Sequence, residues 1–223
     1  MNEDRVEPRT GFDTHSHREF EIFSYVVSGE LEHKDSMGNT EVLKRGTIQL
    51  TSAGTGISHS EKAHGPNQVH FLQMWSIPHT KSLQPKYFTR EFTDAQKTNK
   101  WVRVVAPVGA EGVSDVREGE GPAPVQSSLT LYATLLENGK ALNQKLEGKK
   151  GYIHVVQTSG YNPRKASGAS VRASGVGDSK QEVLLNEGDG AYLTVGPGGT
   201  ELRVENIGDQ MAEVLLFDLE MSG

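Results

Sequence analysis

Hydrophobic positions in this chain fall in short runs punctuated by glycine and proline, and no stretch holds a 3.6-residue period for long. Runs of this kind predict strands rather than helices. His15 to Val27 reads as one extended segment. His15, His17, Glu19, Glu21, Phe23, Tyr25 and Val27 occupy its odd positions, and Ser16, Arg18, Phe20, Ile22, Ser24 and Val26 its even ones. Residues two apart share a face of a strand, so His15, His17 and Glu21 are expected to point the same way. The apolar residues on both faces further along predict a strand covered on each side, as in a sandwich or closed barrel.

A turn at Ser28-Gly29-Glu30 leads into a hairpin over residues 31–43, whose Asp35 to Asn39 centre is rich in turn formers. A strand over Thr47 to Thr51, a glycine-bearing turn at Ser52 to Gly56, the segment Ile57 to Glu61 and a strand over Val69 to Ile77 follow. So many short strands in so few residues predict an antiparallel barrel. Residues 81–100 are polar and carry no clear pattern, whereas Trp101 to Val108 reads as a strand. The glycine, proline and acidic run from Gly109 to Gln126 is the candidate boundary, giving domains 1–108 and 109–223.

The last third echoes the first. Gly151 to Gly160 resembles Glu21 to Gly29, Leu185 to Thr194 resembles Leu43 to Thr51, and Glu213 to Leu219 matches Val69 to Ile77. Two related barrels are therefore expected, an all-β chain with a repeated unit. The second half holds only His154 and has neither His-x-His nor His-x-Glu, so it is expected to bind no metal.

Composition narrows the function. With 29 acidic residues against 23 basic and a net charge of -6, the chain lacks the positive field that grips nucleic acid. Its cysteine count is zero, which removes thiolate ligands and a disulfide scaffold and favours a cytoplasmic or nuclear setting. The charged start is unlike a signal peptide, and no apolar stretch approaches membrane-spanning length, so a soluble protein without membrane partners is expected.

Two motifs carry the chemistry. His15-Ser16-His17 and His59-Ser60-Glu61 each place two donors at i, i+2, and each belongs to a segment next to a glycine-bearing turn. Imidazoles with a carboxylate suit borderline divalent ions such as Fe(II), Mn, Ni, Cu or Zn, and such a set leaves positions open for substrate. Two carboxylates compete for the ligand role, Glu61 two residues after His59 and Glu21 four after His17. Glu19, Arg18 and Arg90 are candidates for the network that orients the imidazoles, while Phe23, Tyr25 and Trp75 are candidates for an apolar slot. His33, His64, His70 and His79 stand alone in the sequence and are assigned no role. Gly54-Thr55-Gly56 lacks the residues of a phosphate-binding loop, and no G-x-S-x-G nucleophile motif occurs.

Residues 2–61 closely resemble the N-terminal barrel of the pirin family of bicupins, whose members read H-P-H-R/K-x-x-E, then E-H-x-D-S-x-G-N, then T/S-A-G-x-G-I-x-H-S/A-E. Ser16 stands in place of the usual proline. The segment Glu32 to Asn39 is nearer the quercetinase-like bacterial and fungal members than vertebrate pirin. The resemblance implies two tandem cupin, jelly-roll-like barrels. It also implies a single iron, expected as Fe(II), held by His15, His17, His59 and Glu61, and a metal-free second cupin. Members of the family carry several tens of residues before the N-E-D-x-V stretch that here follows Met1, which leads us to expect an exposed sheet edge and a thinner first barrel.

Three functions fit the resemblance. The leading one is a dioxygenase of the quercetin 2,3-dioxygenase type acting on a flavonol-like aromatic substrate, with Glu61 as the base. The alternative is an iron-dependent, non-enzymatic regulator that binds a protein partner, as vertebrate pirin does. A bicupin isomerase or zinc hydrolase is the third.

Overall fold

The computed structural model describes residues 1–161, 167–176 and 181–220, and within them the chain is built almost wholly of strands. It divides into two compact units, Met1–Thr93 with Ala106–Ser127, and Asp94–Val105 with Ser128–Gly223.

The first unit begins with β1 (Asn2–Val6), β2 (Gly11–His17), β3 (Glu21–Ser28), β4 (Leu31–Asp35) and β5 (Thr40–Leu43). It continues with β6 (Thr47–Ser52), β7 (Ile57–Ala63), β8 (Val69–Ser76) and β9 (Lys86–Glu91). Two antiparallel sheets result, β1-β8-β3-β6-β9 and β2-β7-β4-β5. Val6, Val26, Val69 and Phe71 from the larger sheet pack against Leu31, Leu43 and Ala63 from the smaller, closing a hydrophobic floor between them. β3 is buried on both faces from Glu21 to Val27, as its run of apolar residues predicts. β7 instead alternates, turning Ile57, His59, Glu61 and Ala63 inward.

One predicted strand is two. The run from His15 to Val27 breaks after His17, where Glu19 adopts φ 62° before β3 starts at Glu21. The Ser52 to Gly56 turn holds this break in place: the Glu19 amide donates to the Gly54 carbonyl at 2.9 Å and the Ala53 amide to the Phe20 carbonyl at 2.8 Å. Gly54 is required there, because at φ +46° a Cβ would sit 1.9 Å from the Leu83 carbonyl oxygen.

After β9 come a single helical turn, α1 (Asp94–Lys97), then β10 (Val102–Pro107), β11 (Ala123–Val125), β12 (Leu129–Leu136), β13 (Ala141–Leu146) and β14 (Lys150–Val155). The chain ends with β15 (Ser170–Gly175), β16 (Glu182–Asn186), β17 (Gly190–Thr194), β18 (Thr200–Asn206) and β19 (Ala212–Leu219). In the second unit β10, β12, β19, β14 and β17 are neighbours in one sheet, and β13-β18-β15-β16 form the other. Leu136, Ile153, Val155, Val214 and Leu216 meet Leu146, Val171, Leu185, Leu202 and Val204 in a core whose buried members are aliphatic, with Trp101 and Tyr132 packed against it.

The all-β, two-barrel expectation holds, but the units do not part at residue 108. Asp94–Val105 belongs with the second because β10 pairs with β12, and the Asn99 amide donates to the Leu135 carbonyl at 2.8 Å. Ala106–Ser127 returns to the first unit, whose Arg90 and Glu21 it covers with backbone groups. No helix among the described residues is long and apolar enough to cross a membrane.

Candidate metal centre

β2 is the edge strand of the smaller sheet of the first unit and is exposed along nearly its whole length. It pairs with β7 so that His15 faces His59 and His17 faces Ile57, with an irregularity between Phe12 and His15. Three imidazoles thereby converge. Ring centroids lie 4.7 Å apart for His15 and His17, 4.6 Å for His15 and His59, and 4.9 Å for His17 and His59. One nitrogen from each falls within 4.8 Å of the others.

Glu61 meets this cluster through His59. It is fully buried two residues along β7, and it forms a second group with His59 and His33, also within 4.8 Å of one another. Ser24 Oγ donates to Glu61 Oε1 at 3.2 Å and Gln73 Nε2 donates to Oε2 at 2.5 Å. Burial pushes the Glu61 carboxyl up, but His33, the charge of His59 and Ser24 outweigh it and hold the group below the usual carboxylate range. It is ionised at neutral pH.

The imidazoles are in the state a metal requires. Burial, reinforced by the neighbouring His33, His15 and His17, lowers the His59 pKa to about 4 against the opposing pull of Glu61. Burial and His15 lower that of His17 as well. His15 Nδ1 lies 2.7 Å from the Asp13 carbonyl oxygen; a proton there leaves Nε2 as the free lone pair. His17 Nε2 and both ring nitrogens of His59 are buried without a hydrogen-bond partner. Buried nitrogens are rarely left orphaned, and several converging beside an ionised carboxylate fit a divalent transition metal by the chemistry of the donor set.

His33, assigned no role from the sequence, is part of this site. It is fully buried on β4, pairs across the sheet with Glu61, and its Nδ1 lies 4.0 Å from Glu61 Oε1. Its Nε2 lies 3.3 Å from Asp35 Oδ2. Asp35 in turn accepts from the amides of Met37 and Asn39 and from Asn39 Nδ2, so one carboxylate organises the hairpin turn and fixes the His33 ring. The sequence signal was the parity of His33 with buried Leu31; the missing information was register.

Several expected neighbours lie elsewhere. The break at Glu19 removes the shared face, and Glu21 projects from the opposite side of its sheet, where the Gln126 amide donates to both carboxylate oxygens at 2.9 Å. Phe23 and Tyr25 share that parity and face away from Ser24 and the site, so they do not line it. Arg90 orients no imidazole; its guanidinium donates to the carbonyls of Thr89, Ser114, Val116 and Arg117. Glu19 accepts from the Ser82 amide instead. Arg18 is exposed and lines a shallow depression with His17, Ser36 and Ile57. Trp75 is beside the cluster, its ring 4.8 Å from that of His17 and 46% exposed. His70 pairs with Glu3 at 2.7 Å and His64 with Glu32 at 3.6 Å, both outside the cluster.

Comparison with known proteins gives this geometry a context. Residues 1–76 match the sequence model of the Pirin family. Quercetin 2,3-dioxygenase of Escherichia coli strain K12 is 33% identical over 195 residues, covering 83% of this chain and 79% of its own length. The enzyme of that name from Escherichia coli O157:H7 is 33% identical over 98% of this chain and 80% of its own. Among solved structures, YhhW from Escherichia coli superposes with a TM-score of 0.75 at 28% identity, over 97% of this chain and 79% of that one. The same bacterial pirin in complex with nickel(II) gives 0.74 at 27% identity, over 98% and 80%. Full-length likeness of this order, on top of two tandem barrels, means that the chain belongs to the pirin family of bicupins, close to its bacterial quercetin 2,3-dioxygenase members.

Proposed function

We propose that this chain is a divalent-metal-dependent oxygenase of the quercetin 2,3-dioxygenase type. In this reading His15, His17, His59 and Glu61 hold the metal, expected as Fe(II), and the substrate is a flavonol or a similar enediol. The observation that carries it is the cluster of His15, His17 and His59 at an exposed strand edge, joined through His59 to the ionised Glu61, with buried ring nitrogens of His17 and His59 that have no hydrogen-bond partner. The quercetinase names of its relatives and the nickel(II) in YhhW support the same chemistry.

A bound metal supplies Lewis acidity and a template that lowers the pKa of a substrate hydroxyl. The protein supplies the rest. Asp13 fixes the His15 tautomer, and burial keeps His17 and His59 neutral. Glu61, anchored by Ser24 and Gln73, accepts the enolic proton. Trp75 offers a half-exposed indole face beside His17 against which an aromatic ring stacks.

Metal analysis of protein purified without added ions, paired with an aerobic quercetin assay, tests this. Near-stoichiometric iron or nickel, quercetin loss and carbon monoxide release are expected, and His59→Ala should lose metal and turnover together. Metal-replete protein that leaves quercetin and related flavonols intact would overturn the enzymatic reading in favour of the non-enzymatic, partner-binding one.

A further inference from the structure

Strands β12 to β19 repeat the arrangement of β1 to β8, which allows the site to be traced across. β7 and β18 are each seven residues long, β8 and β19 each eight, and the same number of residues joins each pair. The smaller sheets run in the same order, β2-β7-β4-β5 and β13-β18-β15-β16. Aligning β18 on β7 end to end places Leu202 at the position of His59 and Val204 at that of Glu61. The register then fixes the neighbours. Gln144 faces Leu202 as His15 faces His59, and Leu146 faces Thr200 as His17 faces Ile57. Ala173 faces Val204 as His33 faces Glu61. Leu216 on β19 takes the place of Gln73 on β8.

Where the first unit has a donor cluster, the second has a void. A cavity of about 610 Å³ opens between β13, β15, β16, β17 and β18, lined by Leu146, Ala173, Ala191 and Leu202 and, to about the same extent, by polar groups that include Ser174, Gln181, Thr194 and Thr200. Three of these residues hold the places of His17, His33 and His59. Exchanging these three imidazoles for small or aliphatic side chains removes their donors and, at Ala173, leaves room that a larger residue would fill, while Gln144 stands in the place of His15. Glu182, at the rim, lies 3.6 Å from the Arg172 guanidinium, so its charge has a partner outside the cavity.

We infer that the second barrel is a binding site for an uncharged small molecule with an apolar body and hydrogen-bonding groups, seated where the metal centre lies in the first. The volume is in the range of small-molecule pockets. Glu182, the one charged side chain among the described lining residues, is paired with Arg172, so an ion would find no free counter-charge, and burying one unpaired is costly. The gain on binding comes from apolar surface leaving water, while Ser174, Gln181, Thr194 and Thr200 in the lining suit hydroxyl or carbonyl groups of the ligand.

N-phenyl-1-naphthylamine, a neutral probe that brightens in apolar surroundings, tests this on the full chain with and without metal. Saturable binding at one site per chain is expected, unchanged in His59→Ala and weakened at least tenfold in Ala191→Phe and Ala173→Leu. Both filled variants should keep the metal content of the parent. Should Ala173→Leu fail to fold, Ala191, half-buried on the edge strand β17, carries the test alone. No saturable binding, binding that survives in the folded Ala191→Phe variant, or binding abolished by His59→Ala would each overturn the inference, and none of them bears on the metal site of the first barrel.

Discussion

His33 is gripped on one side by Asp35, 3.3 Å from its Nε2, and on the other presents Nδ1 to Glu61 at 4.0 Å. It touches no open position of the proposed metal site, so its role is to position Glu61 and keep it ionised. Outer partners of this kind typically set metal affinity by about 10-fold to 100-fold. His33→Leu is therefore expected to bind metal more weakly by about that factor, read by competition with a chromophoric chelator. Asp35→Asn keeps an acceptor oxygen for His33 and should lose less. Equal affinity in His33→Leu and the parent protein would remove His33 from the site. The i, i+2 motifs at 15/17 and 59/61 were legible because strand parity is local. The place of His33 was not, because it depends on which residue of β7 stands opposite β4, a long-range pairing that one sequence leaves open.

Strand geometry explains the other differences. The sequence shows β3 plainly but hides its separation from β2, since a residue at positive φ such as Glu19 carries no sign when it is not glycine. That one break moves Glu21, Phe23 and Tyr25 to the far face. Strand β9 and helix α1 were equally hidden in the polar 81–100 region, because β9 gains its stability from pairing with β6 and from Arg90 clamping the 114–117 backbone, neither of which leaves a periodic pattern. Strand β2 depends on the close approach of Gly11 to β7: at φ +149° a Cβ would lie 2.3 Å from the Glu61 carbonyl oxygen. Gly11→Val should force the two strands apart at Gly11 and Lys62, next to Glu61 and one stretch of ladder from the His15 and His59 pair. We expect a loss of about 1–3 kcal/mol in chemical denaturation together with weakened metal binding. Unchanged metal affinity in a folded Gly11→Val protein would show that the β2 edge tolerates the displacement.

Across the whole molecule, both units bury ionisable groups, among them Glu21, His59 and Glu61 in the first and Lys97, Glu187 and Glu213 in the second, and the large upward shift of Glu21 belongs to the first. The pH dependence of stability should therefore reflect groups such as Glu21, whose pKa burial raises from 4.5 to about 7 despite the hydrogen bonds from the Gln126 amide. Between those values the folded chain holds a proton at Glu21 that the unfolded chain has released. Stability from this group is thus full below about pH 4.5, declines as pH rises, and levels off above about 7. A shift of this size corresponds to roughly 3 kcal/mol. Glu61 and Asp35 shift the opposite way, so the raw profile mixes signs, but both remain in a Glu21→Gln variant and cancel in the difference. Urea denaturation of metal-free protein from pH 4.5 to 8 should show Glu21→Gln gaining on the parent as pH rises to about 7 and keeping a constant lead beyond it. A difference that stays flat between pH 5 and 7 would mean that the carboxylate at position 21 is solvated as well in the fold as in the unfolded chain, and that the 106–127 segment does not seal it from water.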